Sequence, residues 1–262
     1  MTASNLLEWL AITPFRVALL VIAVPALIVT SIGILLVRRI FADELATADR
    51  VTGSKAGYMA ETYGVVLGLM LAAAFAGYQD MQDTVLGESE SLRAILHVSP
   101  NLPGAQRAEL EEGVRRYAQL VIEDEWPKLA LGEADDAAEA AFQRLFTIAA
   151  RPPGDAGLGA SFLAVNQVQG LLQDVLRRRT TRLAAGPGRP LAELLSEILV
   201  GLTLVAVAIP WFLESRSFVL HLLLSGMLVM SYIALITLSV ELLYPFAGQV
   251  ALGPEPFQAV LR

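Results

Sequence analysis

The chain has 262 residues, 55% of them hydrophobic, with no cysteine, a mean hydropathy of +0.57 and a net charge of −7. Without cysteine there are no disulfides, thiolate nucleophiles, iron–sulfur clusters or cysteine-ligated zinc. The two histidines, His97 and His221, stand far apart and outside any His-x-x-x-His or Glu-x-x-His pattern, and an acidic chain of this kind argues against a nucleic-acid partner.

The apolar residues are gathered into four blocks. The first is the uncharged run Val17–Val37, ended by Arg38-Arg39. About 20 helical residues cross the ~30 Å hydrocarbon layer, and a paired arginine suits lipid headgroups. The run exceeds the ~7–15-residue apolar core of a signal peptide, and only Arg16 flanks it, so a retained span is expected. Ile40–Ala56 carries Asp43, Glu44, Asp49, Arg50 and Lys55 and belongs in water. The second block is Met59–Tyr78, with Glu61 as its one charge.

Between Asp80 and Glu193 the composition changes. Apolar residues recur at helical spacing, as in Leu110, Val114, Tyr117 and Val121, and in Phe162, Val165, Leu172 and Val175. Asn101 and Pro103 open the helix that carries Tyr117. Arg151-Pro-Pro-Gly154 and Gly186-Pro-Gly-Arg-Pro190 break the chain. No stretch alternates as a strand does. The third block is Leu194–Leu213, with Glu197 inside it and Pro210 near its end. Glu214, Ser215 and Arg216 form a turn, and the fourth block, Ser217–Val240, contains His221 and ends at Glu241. The expectation is an all-α integral membrane protein with four transmembrane helices in two pairs: 1–79 the first pair, 80–193 a soluble helical domain, 194–241 a hairpin and 242–262 a C-terminal tail. It is multi-pass, in the cell (inner) membrane. Arg38 and Arg39 pull the orientation one way, and Arg177, Arg178, Arg179, Arg182 and Arg189 pull it the other.

The second block carries the sharpest pattern. Gly57, Glu61, Gly64, Gly68, Ala72, Phe75 and Gln79 recur at steps of three or four, so small and polar residues share one helix face. Two readings stand: close helix packing, which glycine allows, or the lining of a pore with Phe75 as a constriction and Glu61 as a ring of charge. Glu61, Glu197 and His221 lie near span ends, where the ~3 kcal/mol cost of a central charge falls. They read as interfacial groups, with His221 also suited to carrying a proton.

In the central region Glu123, Asp124 and Glu125 form one acidic cluster and Glu88 and Glu90 another. They read as solvated faces or as partners of arginines such as Arg179 and Arg182; carboxylates alone also suit a hard cation such as calcium. The arginines equally suit headgroups or one anionic lipid. No nucleophile–base pair, metal cluster or nucleotide loop can be assembled, so no enzyme activity and no cofactor is expected. The expected partners are the bilayer, further copies of the chain and inorganic ions.

Several segments together resemble the bestrophin-like membrane proteins. They are Tyr63-Gly-Val-Val-Leu-Gly-Leu-Met-Leu-Ala72 with Phe75, Glu88-Ser-Glu90-Ser-Leu92, Arg116-Tyr117, Glu125-Trp126, Arg179-Thr-Thr-Arg182-Leu183, and Pro245-Phe246-Ala-Gly248 leading to Gly253-Pro-Glu-Pro-Phe257. Where that family commonly has an aspartate two residues before the Pro-Phe, this chain has Leu243, with Glu241 two residues earlier. The resemblance implies kinship with bestrophins, pentameric ion channels whose second membrane helices line the pore at an aromatic neck. Phe75 is the single aromatic here that matches. The function expected is an oligomeric channel or channel-like protein, cation-preferring through Glu61. The alternative is a non-conducting scaffold whose helical domain binds a protein or lipid.

Overall fold

The computed structural model describes residues 13–41, 50–129, 131–151, 160–185, 190–212 and 217–262, and among these there is no strand. The order is α1 Phe15–Ile40, α2 Arg50–Val98, α3 Gly104–Leu120, α4 Trp126–Leu129, α5 Asp136–Ala149, α6 Ala160–Leu183, α7 Pro190–Ala208, α8 Phe218–Leu243 and α9 Glu255–Leu261. Residues 42–49, 152–154, 186–189 and 214–216, which hold most of the expected polar links, lie outside the described residues. The chain forms two compact units: one of residues 1–78, 190–243 and 247–250, the other of 79–189, 244–246 and 251–262.

In the first unit α1 follows Pro14, whose extended backbone leads into the helix, and ends with Arg38 and Arg39 in its last turn, where cations complement the helix dipole. Ala23, Val207, Val229 and Ile233 make its core. Gly33 on α1 lies against the indole of Trp211, so closely that a Cβ would fall 2.1 Å from it. Three helices among the described residues are long and apolar enough to cross a membrane: Phe15–Ile40, a stretch of α2 from Gly57, and Phe218–Leu243. The expected third block is α7, which passes into a 3-10 turn at Ile209–Phe212 because Pro210 has no N–H to continue the helix. Its apolar stretch Val200–Phe212 is shorter than the other three.

α2 departs most from the sequence reading. It does not stop at Asp80 but runs 49 residues without interruption, about 74 Å at 1.5 Å per residue and over twice what a bilayer needs. No proline interrupts it before Pro100, and past Tyr78 its apolar residues Met81, Val85, Leu92 and Ile95 keep helical phase and are buried.

The second unit is a helical core on Leu92, Leu110, Val114, Tyr117, Phe142, Leu145, Val168, Leu172 and Phe257. The stripe Leu110, Val114, Tyr117 and Val121 is wholly buried. The α6 stripe is Val165, Val168, Leu172 and Val175, while Phe162 is 54% exposed, about 100° from that stripe round the helix. α5 starts at Asp135, whose carboxylate accepts from the Ala138 N–H at 2.8 Å, a helix cap. Within the C-terminal stretch 242–262, Phe246 and Phe257 are buried in this unit's core.

Gly33→Leu therefore forces a branched side chain into the Trp211 ring and should cost about 1–3 kcal/mol by overpacking. Thermal unfolding of the detergent-purified protein, followed by circular dichroism, checks this. Trp211→Ala in the same chain should recover most of the loss.

Candidate functional site

Ionic chemistry concentrates in the core of the second unit, around Arg182. This guanidinium is fully buried, as are Glu88 and Glu125, and Arg179 is 3% exposed. Arg182 Nε donates to Glu88 Oε2 at 2.8 Å and Nη2 to Glu88 Oε1 at 3.0 Å, a two-point grip, and Nη2 also donates to Glu125 Oε1 at 2.8 Å. Arg179 Nη2 donates to Glu125 Oε2 at 2.5 Å, and its Nη1 to the carboxylate of Glu139. The Tyr117 hydroxyl donates to Glu88 Oε1 at 2.7 Å. Arg182 lies over the Trp126 and Phe257 rings at 5.4 and 5.6 Å from their centroids, and Arg179 over Phe142 at 5.7 Å. Two guanidiniums thus balance two wholly buried carboxylates, with the partly exposed Glu139 at the rim.

The local backbone explains this choice of acids. Val121–Glu125 is a π-helical segment between α3 and α4. Its wider turn takes an extra residue, which delays the helix phase. Residue 125, and not 124, therefore comes round to the face of Leu110, Val114 and Tyr117. Glu123 and Asp124 stay exposed, as does Glu90 beside Glu88 on α2. Of the acidic and basic residues singled out above, Glu88, Glu125, Arg179 and Arg182 come together, and Glu90, Glu123 and Asp124 do not. Glu139 and Tyr117 complete the network. Glu139 sits alone in an alanine-rich stretch and nothing in its sequence setting points to it. Tyr117 belongs to the apolar stripe read from the sequence and Arg182 to the arginines expected to pair with these acids, but spacing does not tell that the Tyr117 hydroxyl meets Glu88.

Burial, with Glu88 beside it, pushes the Tyr117 phenol well above its ordinary range, so it stays a donor. Arg182 is disfavoured by burial, yet Glu88 more than offsets that and raises it. Arg179 is likewise raised, burial being outweighed by Tyr117 and Glu125. Every carboxylate oxygen here is engaged by a donor, and among the described residues no group of three or more acidic or histidine side chains is placed to hold a metal. The network is suited to holding helices together and not to proton transfer with solvent.

The second candidate lies in the first unit. Gly57, Glu61, Gly64, Gly68, Ala72 and Phe75 are all exposed on α2, with Phe75 at 49%. A Cβ on Gly57, Gly64 or Gly68 would meet nothing within 4 Å. Gln79, the first residue of the second unit, is exposed too. Among the described residues nothing packs against Gly57, Gly64 or Gly68 on this face. Its back is different: Val66, Leu69, Met70, Ala73 and Ala74 border an apolar hollow of about 400–500 Å³ with Leu195, Ser239 and Leu243. Tyr63 packs edge-on against Tyr232, their centroids 4.6 Å apart.

The pattern of long apolar spans, a long second helix and a buried core of acids and arginines has a counterpart among known proteins: the Bestrophin-like domain model matches residues 24–257. The chain belongs to the Bestrophin-like family. Among solved structures, a point mutant of a bacterial bestrophin homologue from Klebsiella pneumoniae matches 93% of this Bestrophin-like chain and 98% of its own, at 12% identity and TM-score 0.64. A second point mutant of such a homologue from Klebsiella pneumoniae matches 92% and 96%, at 11% identity and TM-score 0.62. A membrane protein carrying a proline-to-alanine substitution matches 93% and 96%, at 12% and 0.64. No curated protein sequence matches. At such identities the likeness is one of fold. In the Bestrophin-like tail, Leu243 ends α8 and Glu241 is buried one turn before Pro245.

Removing one partner from the network leaves the others charged in a dry core, which typically costs 3–5 kcal/mol. Arg182→Met should therefore lower the unfolding midpoint far more than Arg107→Met, whose surface pair with Glu111 is worth at most about 1 kcal/mol. Tyr117→Phe, losing one donor to Glu88, should fall between, at about 1–3 kcal/mol. Equal losses for Arg182→Met and Arg107→Met would show that the network does not hold the fold.

Proposed function

We propose that this protein is an ion channel assembled from several copies of the chain, with α2 of each copy facing a common axis and cations preferred over anions. The observation that supports it is the α2 face of Gly57, Glu61, Gly64, Gly68, Ala72 and Phe75, which is exposed among the described residues although it belongs to an apolar, span-length helix. In a bilayer, helices associate through small residues that let backbones approach. Glycines at 64 and 68 leave room for water and ions, and Phe75 is the bulkiest side chain on the face, hence the narrowest ring. Membership of the Bestrophin-like family and a fold shared with bacterial bestrophin homologues support the same reading.

On this proposal the chain crosses the inner membrane four times, α7 with its 3-10 turn supplying the third pass. It performs no catalysis and needs no cofactor. One Glu61 carboxylate per subunit gathers into a ring whose field concentrates cations at a mouth. A non-conducting scaffold of the same fold is the competing reading, and it predicts no current.

Reconstitution into planar bilayers under a salt gradient decides between them. The parent should carry cation-selective current. Glu61→Gln should lower cation-over-anion permeability, and Glu61→Lys should reverse it. Both effects should shrink toward 1 M salt, where the Debye length is about 3 Å. Gly68→Leu should reduce current without destabilising the chain, because its site is open within one copy. A parent silent under every gradient supports the scaffold, and selectivity indifferent to Glu61 places the filter elsewhere.

A further inference from the structure

Within the second unit a cleft of about 400 Å³ opens between α3 and α5, inside the ~300–1,000 Å³ range of small-molecule sites. The two helices run antiparallel and close together. The Gln106 side-chain amide donates to the Ile148 carbonyl at 2.9 Å, Gly113 lies against Leu145, and Tyr117 packs on Phe142 with ring centroids 5.3 Å apart. Gly113, Ala137, Ala140 and Ala141 line the cleft, so its floor carries nothing longer than a methyl group and no polar side chain.

The rim is charged. Glu109, Glu112 and Arg116 stand on the α3 side and Arg144 on the α5 side. Glu109 is engaged by Arg151 at 2.8 Å. Glu112, Arg116 and Arg144 are exposed and make no hydrogen bond or ion pair among the described residues. Tyr117, the neighbour of Arg116, is taken up by Glu88, whereas Arg116 holds no part of the fold. Because Leu145 meets Gly113, Arg144 stands near the level of Gly113, and Arg116 lies three residues on, about 4.5 Å along the axis. One guanidinium thus comes from each wall. Two like charges on one cleft repel, and an anion between them removes that cost. The planar guanidinium fork matches a carboxylate, while Glu112, unpaired on the same rim, opposes a second negative charge.

We infer that the cleft between α3 and α5 binds a small organic monocarboxylate, its carboxylate held between Arg116 and Arg144 and its apolar body laid on the glycine and alanine floor. The floor rewards carbon, so a hydrated inorganic anion gains only from the arginines. A dicarboxylate brings its second charge toward Glu112 and loses by it. All these residues belong to two helices of one compact unit, and the site is complete within a single chain. It depends neither on conduction nor on how copies assemble.

Calorimetric titration of the full-length protein in lipid nanodiscs, at fixed ionic strength, tests this with benzoate as the probe and succinate and inorganic phosphate as comparators. Benzoate should bind saturably, once per chain, and more tightly than either comparator. Arg116→Gln and Arg144→Gln should each weaken it about tenfold or more, the scale of a hydrogen bond to a charged group. Ala140→Leu should abolish binding by filling the floor, with an unfolding midpoint near the parent's because Ala140 is exposed. Glu112→Gln should bring succinate closer to benzoate in affinity. Arg107→Gln, outside the cleft, should change nothing. No saturable benzoate binding by the parent, parental affinity in both arginine variants or in Ala140→Leu, or phosphate binding as tightly as benzoate overturns the inference. None of these results bears on current in planar bilayers, so the site and the channel reading stand or fall separately.

Discussion

The rotation of α2 about its own axis is set by one interaction, the two-point grip of Arg182 on Glu88. Both side chains are fully buried, and both oxygens of Glu88 are held by Arg182, with Tyr117 on one of them. Turning α2 by even one residue would pull the Glu88 carboxylate out of this grip and bring Gly87 or Ser89 to its place, leaving the Arg182 charge buried without that partner. With Glu88 inside, residues 86, 90 and 93 must be outside. Because α2 is one uninterrupted helix, the same phase carries back to Phe75, Gly68 and Gly64. The buried ion pair thereby goes with a helix phase in which residues 86, 90 and 93 stay outside the core of the second unit.

Such a pair is not a cheap way to build a core. Two guanidiniums and two carboxylates lose their hydration, and attraction at low dielectric recovers that best where geometry is good and donors are satisfied, although Arg182 Nη1 and Arg179 Nε are buried and donate to nothing among the described residues. Here the geometry is a network: Glu125 bridges both arginines, Glu139 holds Arg179 from the rim, and the ring faces of Trp126 and Phe257 lie against Arg182. The C-terminal segment belongs to the same structure, since the Trp126 indole N–H donates to the Leu252 carbonyl at 3.0 Å and its ring packs edge-on against Phe246. Replacing buried ion pairs with well-packed apolar residues of similar volume is often neutral or stabilising. What the charges add is specificity, because an ion pair tolerates only one register between α2, α6 and the π-helical turn.

The glycines show how a motif and a contact differ. Gly64-x-x-x-Gly68 has the spacing of a packing motif, yet nothing among the described residues lies within 4 Å of a Cβ built on either. Gly33 and Gly87, in no motif, are among the glycines that neighbouring side chains approach closely. Gly33 admits the Trp211 indole, and Gly87 lies beneath the Arg178 guanidinium, 2.2 Å from where a Cβ would stand. Small residues crowded by their own chain were invisible in the sequence, and those whose spacing suggests crowding have open space around them among the described residues.

Composition alone determined the class of this protein: apolar runs long enough to cross a bilayer can only be helices, because lipid offers no partner for an open backbone. It determined the helical nature of the middle region too, since the stripe Leu110, Val114, Tyr117, Val121 has a period that a strand cannot use. It could not say which of Glu123, Asp124 and Glu125 turns inward. That depends on a π-helical turn adopted because Arg179 and Arg182, more than fifty residues away, repay the buried carboxylate. Nor could it say that α2 runs on past Asp80, since a surface acid neither makes nor breaks a helix and only burial of Val85, Leu92 and Ile95 against distant segments decides. Local spacing is written in the chain and can be read there. Pairings between remote charges, and the helix rotation they impose, exist only once the chain has folded.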